Sequence, residues 1–279
     1  MRVLNLGAGV QATTIYLMMI DGELPTCDVA IFADTGDEPE AVYRHLQMLE
    51  QLAGPKIIRV SAGNLGQNLI EGKNSTGQRF VSIPSFLSVD GRGNSGIGRR
   101  QCTKEYKIEP IERHIRELCG SEKGRPLPKG TTVTQIFGLS FDEPGRVARV
   151  RGLYETRKQW KAEFPLFDEF MTRPDCVKWL QRRLPGYVVP RSACVFCPYR
   201  SDAEWVAMKE ADPAAWDRAV EIDNAIRLET SACQRGMEAK QYLHRSCKPL
   251  EEVQFNPKPP SNQKMMDWSG MDCEGMCGN

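Results

Sequence analysis

The sequence predicts an α/β fold, in which helices cover a parallel sheet, followed by a mostly helical region that carries cysteines. Short apolar runs rich in β-branched residues alternate with helical runs near the start of the chain, which is the order expected of a parallel sheet. The composition, 41% hydrophobic and 26% charged, is typical of a globular protein. A length of 279 residues suits one large domain or an α/β domain with a smaller appendage.

Strands are predicted at four apolar runs. Helical runs separate the first three, so these strands must lie parallel and be joined by crossover helices. The fourth run completes a Rossmann-like domain that we predict to span residues 1–140. The runs lie at residues 2–6, 28–34, 56–60 and 131–140.

Two predicted helices separate the first three strands. Residues 10–20 are apolar enough for a buried helix, and apolar residues recur on one face of residues 37–54. In the second helix, Pro39 suits the first turn, and the acidic Asp37 and Glu38 favour its positive N-terminal end.

The remaining region, residues 141–279, is predicted to be mostly helical. Thr172, Ser201 and Asp212 each precede a helical run and suit the position that caps a helix. After Phe255 the chain becomes rich in proline and polar residues, and it ends in a tail with two cysteines. We therefore expect a helical, cysteine-bearing region with a linker and tail.

Charge and composition limit the functional classes. The net charge of +1 gives no overall attraction to a polyanion. No run approaches the roughly 18 apolar residues of a membrane span, and residues 1–14 do not resemble a signal peptide. We therefore expect a cytoplasmic protein without a membrane partner. Its ten cysteines then favour packing, metal binding or redox chemistry over structural disulfides.

A glycine-containing loop joins the first strand to the first helix. Backbone N–H groups at a helix N-terminus bind phosphate or sulfate, although a tight turn without a ligand is the alternative. The second strand ends at the same edge of the sheet, where ligands of parallel sheets bind; Asp34 there could also simply cap a helix. The candidate nucleotide-binding residues are Gly7, Ala8, Gly9, Gln11, Thr13, Asp34, Thr35 and Gly36.

The stretch RSACVFCPYR contains Cys194 and Cys197, which could form a disulfide, a redox dithiol, half of a zinc site or two ligands of an iron–sulfur cluster. Cys102 lies among basic residues, which lower a thiol pKa and bind anions; the alternative is a solvated basic face around a buried cysteine. The candidate anion-binding residues are Arg99, Arg100, Lys104 and Lys107.

A closed zinc site normally needs a second close pair of ligands, and the sequence has no second C-x-x-C. An iron–sulfur cluster accepts cysteines from distant segments. We therefore favour a [4Fe-4S] cluster on Cys102, Cys194, Cys197 and one tail cysteine, with zinc and a thiol or disulfide pair as alternatives. The cysteines interpreted as packing residues are Cys27, Cys119, Cys176 and Cys233, with Cys247 as a reserve ligand, and the three histidines, His45, His114 and His244, are interpreted in the same way.

The first loop, the following FADTG and a helix with Pro-Glu together resemble the adenine-nucleotide-binding phosphoadenosine phosphosulfate (PAPS) reductases and ATP pyrophosphatases. Gly9, Gln11 and Ala12 are similar to the reductases' Phe-Gly-x-Gln-Ala. The pyrophosphatases carry an acidic residue where this chain has Gln11, so the resemblance implies binding of a nucleotide whose phosphates stay intact.

Three further stretches resemble iron–sulfur sulfonucleotide reductases in the same order along the chain: RRQCTKEYKIEPI, the C-x-x-C and the tail DCEGMCGN. Cys102 matches the first of that family's adjacent cysteines, and Thr103 replaces the second. A Gly-x-x-x-Asp-Glu-x-x-Arg element is shared with the superfamily, although a salt-bridged surface turn is the alternative for it. Its residues here are Gly138, Asp142, Glu143 and Arg146.

The resemblance implies an oxidoreductase or sulfurtransferase that binds an adenine nucleotide or sulfonucleotide and a [4Fe-4S] cluster. Cys273 would be the fourth ligand, and Cys277 the thiolate that attacks the sulfuryl sulfur, with a thioredoxin-like reductant or glutathione releasing sulfite. One alternative is an ATP-dependent enzyme that inserts sulfur into tRNA or DNA, which would make nucleic acid a partner. Another is a zinc-stabilised nucleotide-binding module without enzymatic activity.

Overall fold

The computed structural model describes residues 1–77, 82–89, 91, 93–122, 124–227 and 238–257. Apolar residues fill the strands near the N-terminus, as their β-branched composition favours. In chain order, the strands are β1 (Arg2–Asn5), β2 (Val29–Asp34), β3 (Ile57–Ser61), β4 (Phe86–Ser88), β5 (Gly96–Ile97), β6 (Val133–Ile136), β7 (Trp160–Glu163) and β8 (Lys240–Tyr242).

Five of these strands form a parallel sheet in the order β3-β2-β1-β6-β7. Together with its flanking helices, this sheet confirms the predicted α/β fold. The chain runs outward from β1 through β2 and β3 and then returns to the other side of β1 as β6 and β7. In an open parallel sheet, such a reversal creates a crevice at the carboxyl ends of the two central strands, where ligands bind.

The sheet continues beyond the predicted domain boundary at residue 140. Strand β7 pairs with β6 in parallel register. Only the first residue of its sequence, WKAE, is buried, since it is the last strand on that side. Residues 176–180 also pack into the core formed by the first helix. The predicted boundary therefore falls within the sheet and not after it.

Strands β4, β5 and β8 form a small antiparallel sheet in the order β5-β4-β8. This sheet joins the loop before residue 100 to a strand near residue 240. The sequence analysis predicts neither the strands nor their pairing, because each has only two or three residues. The small sheet places the loop beside the cysteine-bearing part of the chain.

Helices cover both faces of the parallel sheet. One core joins the first, second and eighth helices to one face, a second core lies on the other face, and a third joins the third helix to the ninth and tenth helices. The helices are α1 (Val10–Ile20), α2 (Glu40–Glu50), α3 (Leu65–Glu71), α4 (Gln101–Thr103), α5 (Glu109–Leu118), α6 (Pro144–Glu155), α7 (Pro165–Asp168), α8 (Arg173–Arg183), α9 (Asp202–Ala211) and α10 (Pro213–Arg227), with a π-helical turn at Lys104–Ile108 and a 3-10 turn at Leu250–Glu252.

The predicted caps of the C-terminal helices are confirmed. Thr172 and Ser201 each form a capping box at the start of α8 and α9, and Asp212 accepts a hydrogen bond from the backbone N–H of Ala215 at 3.1 Å. These caps satisfy N–H groups that a helix leaves unpaired in its first turn. Local sequence is sufficient to predict them because donor and acceptor lie three residues apart.

The acidic residues before α2 have another role than the one predicted. Helix α2 begins at Glu40, after Pro39, and the carboxylates of Asp37 and Glu38 are buried against other segments.

Within the described ranges, no helix combines the length and the apolar character needed to cross a membrane.

Candidate functional site

The loops that follow β1, β2 and β6 meet at the carboxyl edge of the parallel sheet. The loop after β1 contains Ala8 in a left-handed conformation with φ of +56°, which an alanine adopts only rarely. Gly9 follows in an extended conformation and precedes α1 without a side-chain cap. The first N–H groups of a helix have no partner within the helix, so this turn has the geometry of an anion-binding loop.

Gln11 joins the loop after β1 to the loop after β6. Its Nε2 atom donates to Glu143 Oε2 at 3.2 Å and lies 3.3 Å from Ser140 Oγ. Glu143 also accepts from the backbone N–H of Ser140 at 3.2 Å and pairs with Arg146. These contacts lie between β1 and β6, at the position where the strand order reverses, and they link two segments that the sequence predicts as parts of one nucleotide site.

Two other predicted members of that site have structural partners. Asp142 accepts a hydrogen bond from the backbone N–H of Arg173, the first residue of α8, at 3.1 Å. Thr13 is fully buried, and its hydroxyl lies 2.9 Å from Nε2 of His45. Gly138 is buried just after β6. Thr13 therefore faces the core of the protein.

The loop after β2 is held in a tight turn. The Asp34 carboxylate accepts from the backbone N–H of Gly36 at 2.8 Å and from the Tyr43 hydroxyl at 2.9 Å. Gly36 has a φ of +79°, and a Cβ there would lie 2.6 Å from Nδ2 of Asn64, so the turn requires glycine. Asp34 thus organises the turn that presents Thr35.

Thr35 connects this turn to the C-x-x-C segment. Its hydroxyl lies 3.1 Å from the sulfur of Cys194, and the next segment is tied down by the backbone N–H of Val195, which donates to the Asp37 carbonyl at 2.8 Å. Residues predicted as a nucleotide loop and as a metal-binding pair are therefore in direct contact.

Asp37 and Glu38 are the buried anchors of this arrangement. Asp37 accepts from the backbone N–H of Gly66 at 2.8 Å and from Nε of Arg218 at 2.9 Å. Glu38 forms an ion pair with Lys107 at 3.2 Å, and both side chains are almost fully buried. Sequence analysis missed these roles because the partners are distant along the chain.

The two arginines at the ends of RSACVFCPYR hold the segment folded back on itself. Arg200 donates to the carbonyls of Ala193, Cys194 and Val195 at 3.1–3.2 Å. Arg191 donates to the Tyr199 carbonyl at 2.8 Å and pairs with Glu204 in α9. The arginine side chains thus donate to backbone carbonyl groups of this loop, which have no helix or sheet to supply their hydrogen bonds.

The three cysteines predicted as metal ligands line one cavity of about 30 Å³. They approach from two distant segments, the π-helical region and the C-x-x-C loop, and the cavity lies beside the loop after β2. The residues that matter for its chemistry are Cys102, Cys194, Cys197, Thr35, Arg100 and Lys107.

Groups of opposite charge act on the thiol of Cys194 in the cavity. Burial, and then the negative charge of Glu38, raise the pKa of Cys194 well above its usual value, while Lys107 acts in the opposite direction. A thiolate at this position therefore needs a positive partner, and a bound metal centre would supply one.

The four predicted anion-binding cations occupy different environments. The charge of Lys107 is balanced by Glu38, and Lys104 lies 3.9 Å from Glu109 on the surface. Arg100 lines the cavity and lies 5.1 Å from the ring of Tyr199, whereas Arg99 is exposed. Arg100 and Lys107 are thus the two predicted cations that line the cysteine cavity.

The other cysteines and the histidines lie elsewhere. Cys27 and Cys176 are buried in a core, which agrees with the packing role predicted for them, and Cys119 packs against another core. Cys247 lies 3.9 Å from the carbonyl of Leu87. The three histidines also lie outside the cavity lining, and the predictions for Cys233, Cys273 and Cys277 fall outside the described residues.

Within the part of the chain that the structure describes, no three Cys, His, Asp or Glu side chains are grouped closely enough to hold a single metal ion.

The chain matches no family model, no curated protein and no solved structure.

Proposed function

We propose that the chain is an adenine-nucleotide-binding iron–sulfur enzyme that acts on sulfur in the manner of the PAPS reductases. The observation that carries the proposal is the meeting of Cys102, Cys194 and Cys197 at one cavity beside the loop after β2. This cavity lies next to the carboxyl edge of a parallel sheet, where nucleotides bind in α/β proteins.

The nucleotide site of the proposal is Rossmann-like. The uncapped N-terminus of α1 would receive a phosphate or sulfate group, and the turn that Asp34 holds would border the nucleoside. The hydrogen bond between Gln11 and Glu143 supports this placement, since it joins the loops after β1 and β6 where the strand order reverses.

The cysteine cavity suits an iron–sulfur centre by its donor set. Three thiols from two segments line it, and iron–sulfur clusters are held by cysteine thiolates from separate segments. Cys273 in the tail would be the fourth ligand. When bound, such a centre would hold the cysteines as thiolates, and zinc is the alternative occupant.

The proposed reaction transfers a sulfonyl group to a cysteine. The Cys277 thiolate attacks the sulfuryl sulfur, a sulfur–sulfur bond forms, and the bond from that sulfur to the phosphate oxygen breaks, so that the nucleotide leaves with its phosphate. A dithiol of the thioredoxin class then attacks the Cys277 sulfur, is oxidised to a disulfide and releases sulfite. Arg99 and Arg100 would balance the anionic charge of the sulfonucleotide.

Metal analysis tests the cysteine site. After strictly anaerobic purification, we expect iron and sulfide in the protein and absorbance near ~400 nm, as cysteine-ligated iron–sulfur centres give. Cys194→Ser should lose both iron and absorbance. Cys119→Ser is the matched control, because Cys119 packs at the end of α5 away from the cavity, and it should retain them. An iron-free protein with one zinc per chain would contradict the proposal.

Nucleotide analysis tests the reaction class. PAPS, adenosine phosphosulfate or their nucleotide products should bind in calorimetry, and incubation with ATP should release no pyrophosphate. Pyrophosphate release that depends on added tRNA or DNA would instead support the sulfur-insertion alternative. Binding of nucleotide with zinc and without any turnover would support the non-enzymatic module.

A further inference from the structure

Two exposed phenylalanine side chains form an apolar corner at the carboxyl edge of the parallel sheet. Phe170 is 71% exposed and Phe141 is 41% exposed, and the centroids of their rings lie 5.2 Å apart. The ring of Phe167 lies 5.3 Å from that of Phe141, and it packs against the core on that face of the sheet. These three residues are called the aromatic corner below.

The aromatic corner borders the proposed nucleotide crevice. Phe141 directly follows Ser140, whose N–H and hydroxyl contact Glu143 in the loop after β6. Phe170 comes after β7 and the short helix α7, and the backbone N–H of Phe141 donates to the carbonyl of Met171 at 2.7 Å. Because β6 and β7 are parallel neighbours, their carboxyl ends bring the corner to the same edge as the loop that precedes α1.

The backbone of Phe170 is strained, and packing within the chain does little to offset the strain. Its φ is +56°, a left-handed conformation that residues other than glycine adopt only rarely. It ends α7 at a position where the N–H of Met171 donates to the carbonyl of Leu166 at 2.8 Å, and glycine is favoured at such helix ends. Because most of the ring is exposed, strain at this residue points to a function for it.

The geometry of the aromatic corner favours a rounded apolar group over a nucleobase. The ring planes of Phe141 and Phe170 make an angle of 62°, and those of Phe141 and Phe167 an angle of 42°. Proteins that bind single strands stack successive bases flat on aromatic rings. The three tilted rings give no pair of parallel faces between which a base could be held, but they can surround an apolar side chain.

The charges around the aromatic corner favour a protein over a polyanion. Arg151 lies 5.4 Å from the ring of Phe167 and 3.2 Å from the carboxylate of Asp168, so its charge is paired. Each exposed ring also has an exposed acidic residue as its neighbour in the chain, Asp142 and Glu169. Nucleic acids and anionic membranes bind where positive charge is in excess, whereas aromatic residues with a polar rim are typical of protein interfaces.

We propose that the aromatic corner is the docking site of the dithiol protein that reduces the enzyme, with an apolar side chain of that partner held against Phe170. The inference rests on the proposed function, which requires a dithiol of the thioredoxin class to reach the sulfur of Cys277. The corner lies on the β7 side of the crevice and the cysteine cavity on the β2 side. A partner seated on the corner therefore reaches the crevice without covering the cavity.

Phe170→Gly separates docking from stability, because the two expected effects have opposite signs. Glycine adopts a φ of +56° without strain, so the variant should unfold at a higher urea concentration than the wild type although its ring is lost. Phe170→Asn is a second variant that tolerates this conformation, and Phe170→Tyr keeps the ring. Leu118→Ala is the matched control, because Leu118 is 46% exposed at the far end of α5, a helix that begins just after Lys107 at the carboxyl edge.

Two measurements on the full-length, anaerobically prepared protein test the docking site. Calorimetry gives the affinity for thioredoxin, and turnover of PAPS is followed with thioredoxin or with dithiothreitol as the reductant. We expect Phe170→Gly and Phe170→Asn to weaken thioredoxin binding and to raise its KM about tenfold, as loss of an aromatic contact at an interface does. Turnover with dithiothreitol should not change, and Phe170→Tyr and Leu118→Ala should match the wild type.

The outcomes distinguish the docking site from the proposed function. Wild-type affinity and KM in Phe170→Gly, or no binding of thioredoxin to the wild type, would overturn the docking site, while turnover with dithiothreitol would leave the proposed function standing. No turnover with either reductant would reject the proposed function, and calorimetry would still decide the docking site. A wild-type dimer that dissociates in Phe170→Gly, or binding of single-stranded RNA that this variant loses, would assign the corner to a second copy or to nucleic acid and overturn the proposal.

Discussion

The ammonium group of Lys107 lies 3.2 Å from the carboxylate of Glu38, and both side chains are nearly removed from solvent. The pair joins the π-helical turn to the loop after β2, so it fixes the position of the segment that carries Cys102. Glu38 also lies within 3.4 Å of the Ser192 hydroxyl, just before the C-x-x-C. One buried charge pair therefore sets the distance between the two cysteine-bearing segments.

Replacing Lys107 with methionine should destabilise the fold strongly. The substitution removes the ammonium group that pairs with the buried Glu38 carboxylate, and breaking a buried ion pair by removing one partner typically costs about 3–5 kcal/mol. The combined variant Lys107→Met with Glu38→Gln should recover most of the loss, because it removes both charges. Urea unfolding of the protein measures each free energy.

The control for this prediction is the ion pair of Arg183 and Asp21, which lies nearer the surface. Arg183→Met should cost less than about 1 kcal/mol, as exposed pairs do. Equal losses in Lys107→Met and Arg183→Met would show that the buried pair is not a structural anchor.

Gly66→Ala should be destabilising, although alanine is favoured over glycine in helices by about 1 kcal/mol. A Cβ on Gly66, in α3, would lie 2.7 Å from both Arg218 Nη2 and Asp37 Oδ2. The ion pair of Arg218 and Asp37 must then shift, so we expect a net loss of about 1–3 kcal/mol.

Gly152→Ala provides the opposite result in the same assay. A Cβ at Gly152, in α6, meets no atom within 4 Å, so this variant should gain up to about 1 kcal/mol. Thermal or urea unfolding of the two variants compares them directly, and stabilisation of both would disprove the close contact at Gly66.

His45 should make the protein less stable in mild acid. Burial lowers the pKa of His45 from 6.5 to about 4, so as the pH falls the unfolded chain binds a proton before the folded protein does. The contribution of neutral His45 to the free energy of unfolding is fully present above its pKa in the unfolded chain. It is lost as the pH falls from 6.5 towards 4. The complete loss is about 3 kcal/mol, and roughly 2 kcal/mol of it should be seen by about pH 5.

The control for the acid effect is His45→Gln, which has no group to protonate in this range. The variant loses the contacts to Thr13 and Tyr187, so it should be less stable at neutral pH but show a smaller decrease on acidification. Urea unfolding near neutral pH and near pH 5 gives the two slopes. Parallel slopes for the variant and the wild type would assign the acid sensitivity to other groups.

Gly9→Val should abolish adenine-nucleotide binding while the protein still folds. Gly9 has a φ of −94°, which valine adopts without strain, but the new side chain would stand where the backbone must approach a phosphate. Gly96→Val, in β5, is the control, since a Cβ there meets no atom within 4 Å. Calorimetry that finds equal affinity in Gly9→Val and the wild type would exclude this loop from the binding site.

Patterns formed by residues close together in the sequence were sufficient to predict most of the parallel sheet. The apolar run of α1 has the predicted bounds, and the caps at Thr172 and Ser201 involve residues three positions apart. Strand β7 was missed because its charged residues hide a strand at the edge of the sheet, which moved the expected domain boundary to residue 140.

Long-range partners could not be derived in the same way. The sequence analysis grouped Cys102, Cys194 and Cys197 by the ligand chemistry of iron–sulfur clusters and by a family resemblance, and the structure brings them to one cavity. It placed Lys107 among the anion-binding cations, whereas the structure pairs it with Glu38, 69 positions away. No local pattern distinguishes a lysine that binds a ligand from one that binds a buried carboxylate.

The π-helical turn at Lys104–Ile108 sets the angular register between the core and the cavity. A π turn holds an extra residue compared with an α turn, so deleting one residue from it would give a continuous α-helix through α4 and α5. Because the π turn takes up its extra residue within one turn, the segments on either side of the deletion would keep their directions about the helix axis. The apolar face of α5 would still pack and Cys102 would stay at the cavity, whereas the residues of the turn itself, Lys107 among them, would change direction. A single-residue length change can therefore separate the buried ion pair from the cysteines that it positions.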